Sequence, residues 1–326
     1  MNRRKLYNQG ELYLYVEMSE AGGVRLIRCY GVSPSVVLPE EIAGKALTEI
    51  GEYSFADSPR APQRPDGMPE YVRELAGEYI REIELPDSVV QIGSLAFYNC
   101  RELKRLSFGS ALTKIGSDIF MNCRSLKDFR VNCHVGDSTG LKQLLAQKMT
   151  DVEVTFERNG ECQARLFYPE YSQVYDEIGP AHIFAMNIRG EGFRFRQCFR
   201  EGIICFRDYD AVFEQACTGE TVATLCRLVA DRLAYPVELE EEAAHRYTSF
   251  VQQHQEELAG FLVENENIEM IRIFADKKIL SGSGLQTAAA MASAREWIPG
   301  TAAIMRLQQE QNETGKPDGR YDFEEW

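Results

Sequence analysis

Apolar residues in the first half of the chain follow two rhythms. In ELYLYVEMSEAGGVRLIRCYG, Glu11 to Gly31, they alternate with polar residues on either side of Gly22-Gly23, which predicts a hairpin of two strands. From Ile80 onward the spacing changes to L-x-x-L-x-L, and one line is written twice. IGSLAFYNCRELKRLSF at 92–108 returns as IGSDIFMNCRSLKDFRV at 115–131, an offset of 23 residues.

The offset pairs Ile92 with Ile115, Gly93 with Gly116, Phe97 with Phe120, Asn99 with Asn122, Cys100 with Cys123, Leu103 with Leu126 and Leu106 with Phe129. An imperfect earlier copy places Ile50, Gly51 and Phe55 in the same slots, and Leu38-Pro39 anticipates Leu85-Pro86. A period in the low twenties with this rhythm predicts a solenoid in which each turn adds one short strand to a parallel sheet. The strands are read as Ile80 to Leu85, Leu103 to Phe108 and Leu126 to Val131, about three turns, with the first, fourth and sixth residues of each facing inward. Phe and Cys of each turn then stack on their copies across the core. The Asn beside each Cys is expected to hydrogen-bond backbone in a tight turn. The glycine after Ile92 and Ile115 is expected at positive φ.

These residues resemble a known family. LPDSVVQIGSLAFYNCRELKRL is similar to the BspA-like leucine-rich repeats of bacterial proteins, and the resemblance runs from about Val24 to Val131. It implies a right-handed solenoid used for protein or glycan contact, and it implies no catalytic residues.

The rest of the chain completes an α+β plan: a short leucine-rich-repeat solenoid, a small β-containing module and an α-helical array. Residues 1–31 form the hairpin cap, and 32–133 the repeats, interrupted at 58–78 by SPRAPQRPDGMPEYVRELAGE, a surface excursion expected to carry a short helix. Residues 134–150 hold a helix, Ser138 to Met149, entered through a Ser or Thr cap and closing the solenoid. Residues 151–206 turn strand-like again, with VEVTF, an Asn159-Gly160 hairpin turn, GFRFRQCF and IICF. Residues 207–312 have helical periodicity, with Val222, Leu225, Val229 and Leu233 on one face; 313–326 form an acidic tail that is mobile or docks by Phe323 and Trp326. Ile271 and Phe274 recur as Ile304 and Leu307, an offset of 33 that is weakly ankyrin-like.

Composition narrows the function. Of 326 residues, 44% are hydrophobic and 26% charged, as in a globular chain that buries a core. Fifty acidic against 36 basic side chains give a net charge of −14, which repels phosphate backbones and argues against nucleic acid as a partner. No export signal or membrane-spanning run is apparent, and the nine cysteines lack any C-x-x-C pair, so reduced thiols in a cytoplasm are expected. Cofactor and metal are expected to be absent: His134, His182, His245 and His254 are dispersed, without the paired spacing of a zinc site.

Binding, not turnover, is the expected activity, with a protein as the partner and the oligomeric state left open. The outward slots of the strands hold Glu82, Arg105 and Asp128 in one row and Glu84, Ser107 and Arg130 in the next. Unlike charges facing each other on a sheet contribute a few tenths to about 1 kcal/mol, so the rows read either as self-satisfied ladders or as a partner surface. A second candidate is the stretch with Arg194, Arg196 and Arg200, read as a strand with Phe inward and Arg outward. Two alternatives are weighed: a thiol enzyme using Cys198 or Cys205 with His182 as base, and a self-assembly module. SGSG at Ser281 to Gly284 lacks the phosphate-loop pattern and reads as a helix-to-helix turn.

Overall fold

A computed structural model describes residues 4–20, 22–178 and 183–314. The chain divides into two compact units that meet at Val212 and Phe213. The architecture is α+β, with strands dominating the first unit and helices the second.

Two sheets build the solenoid of the first unit, and its turns pass once through both as far as Lys114–Ile115; Ser172–Ile178 with Ile183–Arg189, and Phe199–Arg200 with Ile203–Ile204, form separate two-stranded sheets. The six-stranded sheet runs in the order Glu161–Tyr168, Val152–Arg158, Asp128–Asn132, Arg105–Gly109, Glu82–Glu84, Ser35–Val37. Every neighbouring pair is parallel except the terminal hairpin of Val152–Arg158 with Glu161–Tyr168. The sheet therefore has five parallel strands, where three are legible in the repeat. In the eight-stranded sheet, the hairpin Leu12–Met18 and Val24–Gly31 lies beside Lys5–Gln9, and Val24–Gly31 then runs parallel to Lys45–Ile50, Gln91–Ile92 and Lys114–Ile115 in succession. The N-terminal hairpin thus pairs with the first turn, and its edge is covered.

The inward slots are buried as the rhythm requires. Ile80, Ile83, Leu85, Leu103, Leu106, Phe108, Leu126, Phe129 and Val131 are each at most 1% exposed. Phe55, Phe97 and Phe120 stack in file, with centroids 5.4 and 5.8 Å apart. The repeated cysteine ties turn to turn: Cys100 Sγ donates to the Phe55 carbonyl at 3.1 Å and Cys123 Sγ to that of Phe97 at 3.0 Å. Asn99 donates to the Asp57 carbonyl at 2.9 Å, and Asn122 donates to the Asn99 side chain at 2.7 Å.

The repeated glycines have a different reason from the one the sequence suggests. Gly93 and Gly116 are not at positive φ; Leu95, Asn99, Asp118 and Asn122 are. A Cβ on Gly93 would stand 2.6 Å from the Glu52 amide nitrogen, and one on Gly116 would stand 2.3 Å from that of Ser94. Only a residue without a side chain lets successive turns approach so closely.

The excursion at 58–78 carries no helix. Pro59, Pro62, Pro65 and Pro69 each lack the N–H a helix needs, and the segment forms turns and one short strand, Arg73–Glu74, antiparallel to Tyr30–Gly31. Buried Arg28 anchors it, donating to Glu74 at 2.5 Å and to the carbonyls of Tyr53, Ser54 and Ala56.

Two further expectations change. The predicted capping helix is Leu141–Ala146, its N-cap is Gly140 without a side-chain cap, and Thr139 Oγ1 accepts from the Leu141 N–H instead. Because Val152–Arg158 follows it and pairs parallel with Asp128–Asn132, the helix lies within a solenoid turn and does not close it. VEVTF is therefore sheet continuation, and a module boundary at 151 does not match this pairing. GFRFRQCF is not a strand: Gly192–Phe195 is a single helical turn, followed by a short hairpin of Phe199–Arg200 and Ile203–Ile204. Exposure recurs there every third residue, at Arg194, Gln197 and Arg200, which no strand gives.

In the second unit, Val222–Ala234, Gln255–Glu264 and Gly282–Ala294 pack in succession, and Ile268–Asp276 packs on Ile298–Thr314. Leu225, Val229 and Leu233 are buried, as are Ile271, Phe274, Ile304 and Leu307. Ser281 caps the helix Gly282–Ala294 by accepting from the Gly284 N–H, so SGSG is a helix-opening turn. The acidic tail from 315 onward, with Phe323 and Trp326, lies outside the described residues.

Candidate functional site

The outward slots of the six-stranded sheet stand in the register the repeat implies. Ser35, Glu82, Arg105, Asp128 and Glu153 face each other in one row; Val37, Glu84, Ser107, Arg130 and Thr155 form the next. Inward burial of each strand's apolar set fixes that register, since a slip of one residue would turn it outward.

The charges from Glu82 to Glu157 form one connected chain, with the pair of Arg165 and Glu153 beside it. Arg105 donates to Asp128 at 2.5 Å and pairs with Glu82 at 3.3 Å. Arg130 approaches Asp128 at 3.6 Å and Glu157 at 3.2 Å, and Arg165 stands 3.7 Å from Glu153. Burial works to lower the Arg105 pKa, but the hydrogen bond and charge of Asp128, with Glu82 behind it, hold it above the ordinary arginine value. The ladder fixes long side chains before any partner arrives. They remain within reach of one, with Arg105 34% and Arg130 36% exposed. Glu84 is exposed, and its carboxylate makes no hydrogen bond among the described residues; Val37 beside it is 64% exposed. Ser107 is buried. Glu84, Arg105, Arg130, Asn132 and Glu157 line a shallow hollow of 220 Å³ on this face.

Glu157, Asn132 and Val37 belong to this surface and were not singled out from the sequence. The Leu38-Pro39 echo of Leu85-Pro86 pointed to the strand that carries Val37. Val152–Arg158 gave less signal, because polar Asp151 fills the slot where Leu103 and Leu126 stand in earlier turns.

The arginine stretch divides. Arg196 is 2% exposed and donates to the carbonyls of Lys148, Pro169, Gly192 and Thr150 at 2.6 to 3.0 Å. Burial pushes it down to about 10, so it stays charged, and its role is to satisfy carbonyls and not to face a partner. Arg194 pairs with Glu191 at 2.9 Å and Arg200 with Asp208 at 3.0 Å, both at the surface. Arg196 is therefore corrected from an outward to a buried residue.

Cys198 is 4% exposed, and burial pushes its thiol up to about 12, opposite to what a nucleophile needs. Cys205 is half-buried beside Asp208, whose carboxyl is lowered by hydrogen bonds from Cys205 and Arg200. His182 lies outside the described residues. Among the described residues no cluster of three or more His, Cys, Asp or Glu is placed to hold a metal ion, and no helix is long and apolar enough to cross a membrane.

Residues 75–140 match the family described as BspA type Leucine rich repeat region (6 copies). No curated protein matches the chain. Among solved structures, a leucine rich cell surface protein from Faecalibacterium prausnitzii A2-165 is 23% identical with a TM-score of 0.29, covering 40% of this chain and 33% of that one. The leucine rich repeat protein of T. pallidum is 19% identical with a TM-score of 0.22, covering 36% and 68%. The chain thus spans about a third of the length of the first.

Proposed function

We propose that this solenoid, with its leucine-rich repeat region at residues 75–140, is a non-catalytic scaffold that binds a protein partner through the outer face of the six-stranded sheet. The observation that carries this reading is the ladder from Glu82 through Arg105, Asp128 and Arg130 to Glu157, ion-paired yet partly exposed, beside the unpaired Glu84 and the exposed Val37. Such a surface loses little side-chain freedom on association, which favours affinity. It mixes both charge signs with an aliphatic contact, suiting a protein surface better than a polyanion such as nucleic acid.

The helical unit is a second binding platform in this reading. Its succession of packed alternate helices supports the ankyrin-like likeness suggested by the offset of 33 between Ile271 and Ile304. A reducing, cytoplasmic location is supported by Cys100 and Cys123, which act as hydrogen-bonding thiols in the core.

The test is affinity capture from the source cell with mass-spectrometric readout, comparing wild type with Val37→Asp plus Glu84→Lys, and with Arg105→Glu plus Arg130→Glu. The first pair changes only exposed side chains outside the ladder. A partner held by wild type and lost from the first pair at unchanged melting temperature, and from the second pair as well, is the expected result. A partner retained by both moves the binding surface off this sheet.

A further inference from the structure

A cavity of 630 Å³ in the first unit does not lie on the face just described. It opens on the outer side of the eight-stranded sheet, between the N-terminal strands and the excursion at 58–78. Its floor is bare main chain, because Gly51, Gly93 and Gly116 follow one another in successive turns and no Cβ fits there. The amide nitrogens of Glu52 and Ser94, in the same floor, make no hydrogen bond among the described residues.

The walls carry charge of the opposite sign to the chain as a whole. Arg4, Arg25, Arg60 and Lys114 line the cleft against Glu17 and Glu52, four basic groups to two acidic in a chain of net charge −14. The acidic groups do not neutralise all of the basic ones. Glu17 holds Arg4 at 3.4 Å and Arg25 at 3.1 Å, and Glu49, behind the wall, holds Arg25 at 2.6 Å. Arg60 and Lys114 are exposed and form no ion pair among the described residues. An anion entering here would meet two exposed cations, Arg60 outside any ion pair and Lys114 within the field of Glu49, and two N–H groups without a hydrogen bond among the described residues, with the unpaired Glu52 carboxylate at one side.

We propose that this cleft binds a small polyvalent oxyanion, with Arg60 and Lys114 as its charge partners and the Glu52 and Ser94 amides as neutral donors. Polyvalency follows from the spread of the donors over the excursion and three successive turns, each able to take one anionic oxygen, and charge-assisted bonds of this kind are the stronger class. The cavity is of the size that small ligands occupy, about 300–1,000 Å³. Carboxylate and phosphate groups share the required chemistry. The site uses none of the residues of the sheet-face surface, so the two proposals stand or fall separately.

Calorimetric titration of the full chain with citrate and, separately, with pyrophosphate tests it. Wild type is compared with Arg60→Glu plus Lys114→Glu, with the milder Arg60→Gln plus Lys114→Gln, and with Lys104→Glu as an exposed charge change outside the cleft. Saturable binding of one probe is expected, at least about tenfold weaker in both double variants and unchanged in Lys104→Glu. Citrate alone would assign a carboxylate ligand and pyrophosphate alone a phosphate. Amide shifts of Glu52 and Ser94 on titration would locate the ligand. No saturable binding of either probe, or an equal loss in Lys104→Glu, overturns the proposal.

Discussion

The rings of Phe97 and Phe120 lie face to face, centroids 5.8 Å apart and planes 19° from parallel, although 23 residues separate them. Phe97 also stacks on Phe55 at 5.4 Å, so it is the middle member of a file that crosses three turns. Phe97→Ala removes contacts on both sides at once and leaves a cavity that main-chain bonds between turns prevent from collapsing. We expect a loss of about 3–5 kcal/mol by urea unfolding. Phe97→Leu should cost clearly less, and equal losses would show that volume is not what the file supplies.

Much of this was legible because the repeat is a contact map. Residues one period apart become neighbours, so the inward slots, the aromatic file and the facing of Glu82, Arg105 and Asp128 could be read before any coordinates. What escaped the reading had lost the periodic signal or carried one that two structures share. Polar Asp151 stands in a leucine slot and hid the fact that the VEVTF strand belongs to the solenoid sheet. Phe and Arg alternating through 193–196 suit a strand equally well, and only the three-dimensional demand of four carbonyls draws Arg196 inside. The cleft of Arg60 and Lys114 joins the excursion to three successive turns, and no local spacing marks such a meeting.

Glycine substitutions should separate close approach from backbone freedom. Gly93→Ala brings a Cβ to within 2.6 Å of the Glu52 nitrogen and 2.8 Å of the Gly51 carbonyl carbon, both backbone atoms that cannot step aside. A destabilisation of about 1–3 kcal/mol is expected from overpacking. Gly282→Ala, at the start of a helix with nothing within 4 Å, should instead be neutral or stabilise by about 0.5–1 kcal/mol. Thermal unfolding of both variants gives the signs; the same sign for both would refute the distinction.

Arg196 should behave as a structural residue. Its guanidinium serves four carbonyls and lies 5.1 Å over the Tyr171 ring, an arrangement that an ammonium cannot reproduce with three donors. Arg196→Lys is expected to cost about 2–4 kcal/mol, because carbonyls are left buried and unpaired. Arg194→Ala, at a 57% exposed side chain, should change stability by no more than about 0.5 kcal/mol. Chemical denaturation of the pair decides it, and comparable effects would mean that Arg196 is not buried as described.

Alkylation should rank the thiols by burial. Cys217 is exposed, whereas Cys29, Cys133, Cys198 and Cys226 are buried and pushed up to about 12 by loss of solvent. Iodoacetamide at about pH 8 should therefore label Cys217 well before these four in the native chain, and all of them after unfolding. Peptide mapping against time measures the order. Native Cys198 reacting faster than a model thiol would revive a nucleophilic role there.

Glu49 gives the stability of the first unit an acid limb. Burial favours its neutral form, but hydrogen bonds from Ser19 and Arg25, the latter at 2.6 Å, together with the Arg25 charge outweigh that and hold its pKa below the usual 4.5. A carboxylate whose folded pKa is depressed contributes stability that is complete above its unfolded pKa and disappears as pH falls through the folded value. Glu49→Gln should therefore be less stable than wild type by about 1 kcal/mol at about pH 6, with the gap closing below about pH 4.5. Urea midpoints of both proteins across that range, at constant salt, measure the gap itself and so cancel the titration of other carboxylates. A gap that stays constant with pH would mean that Glu49 is held by shape and not by its charge.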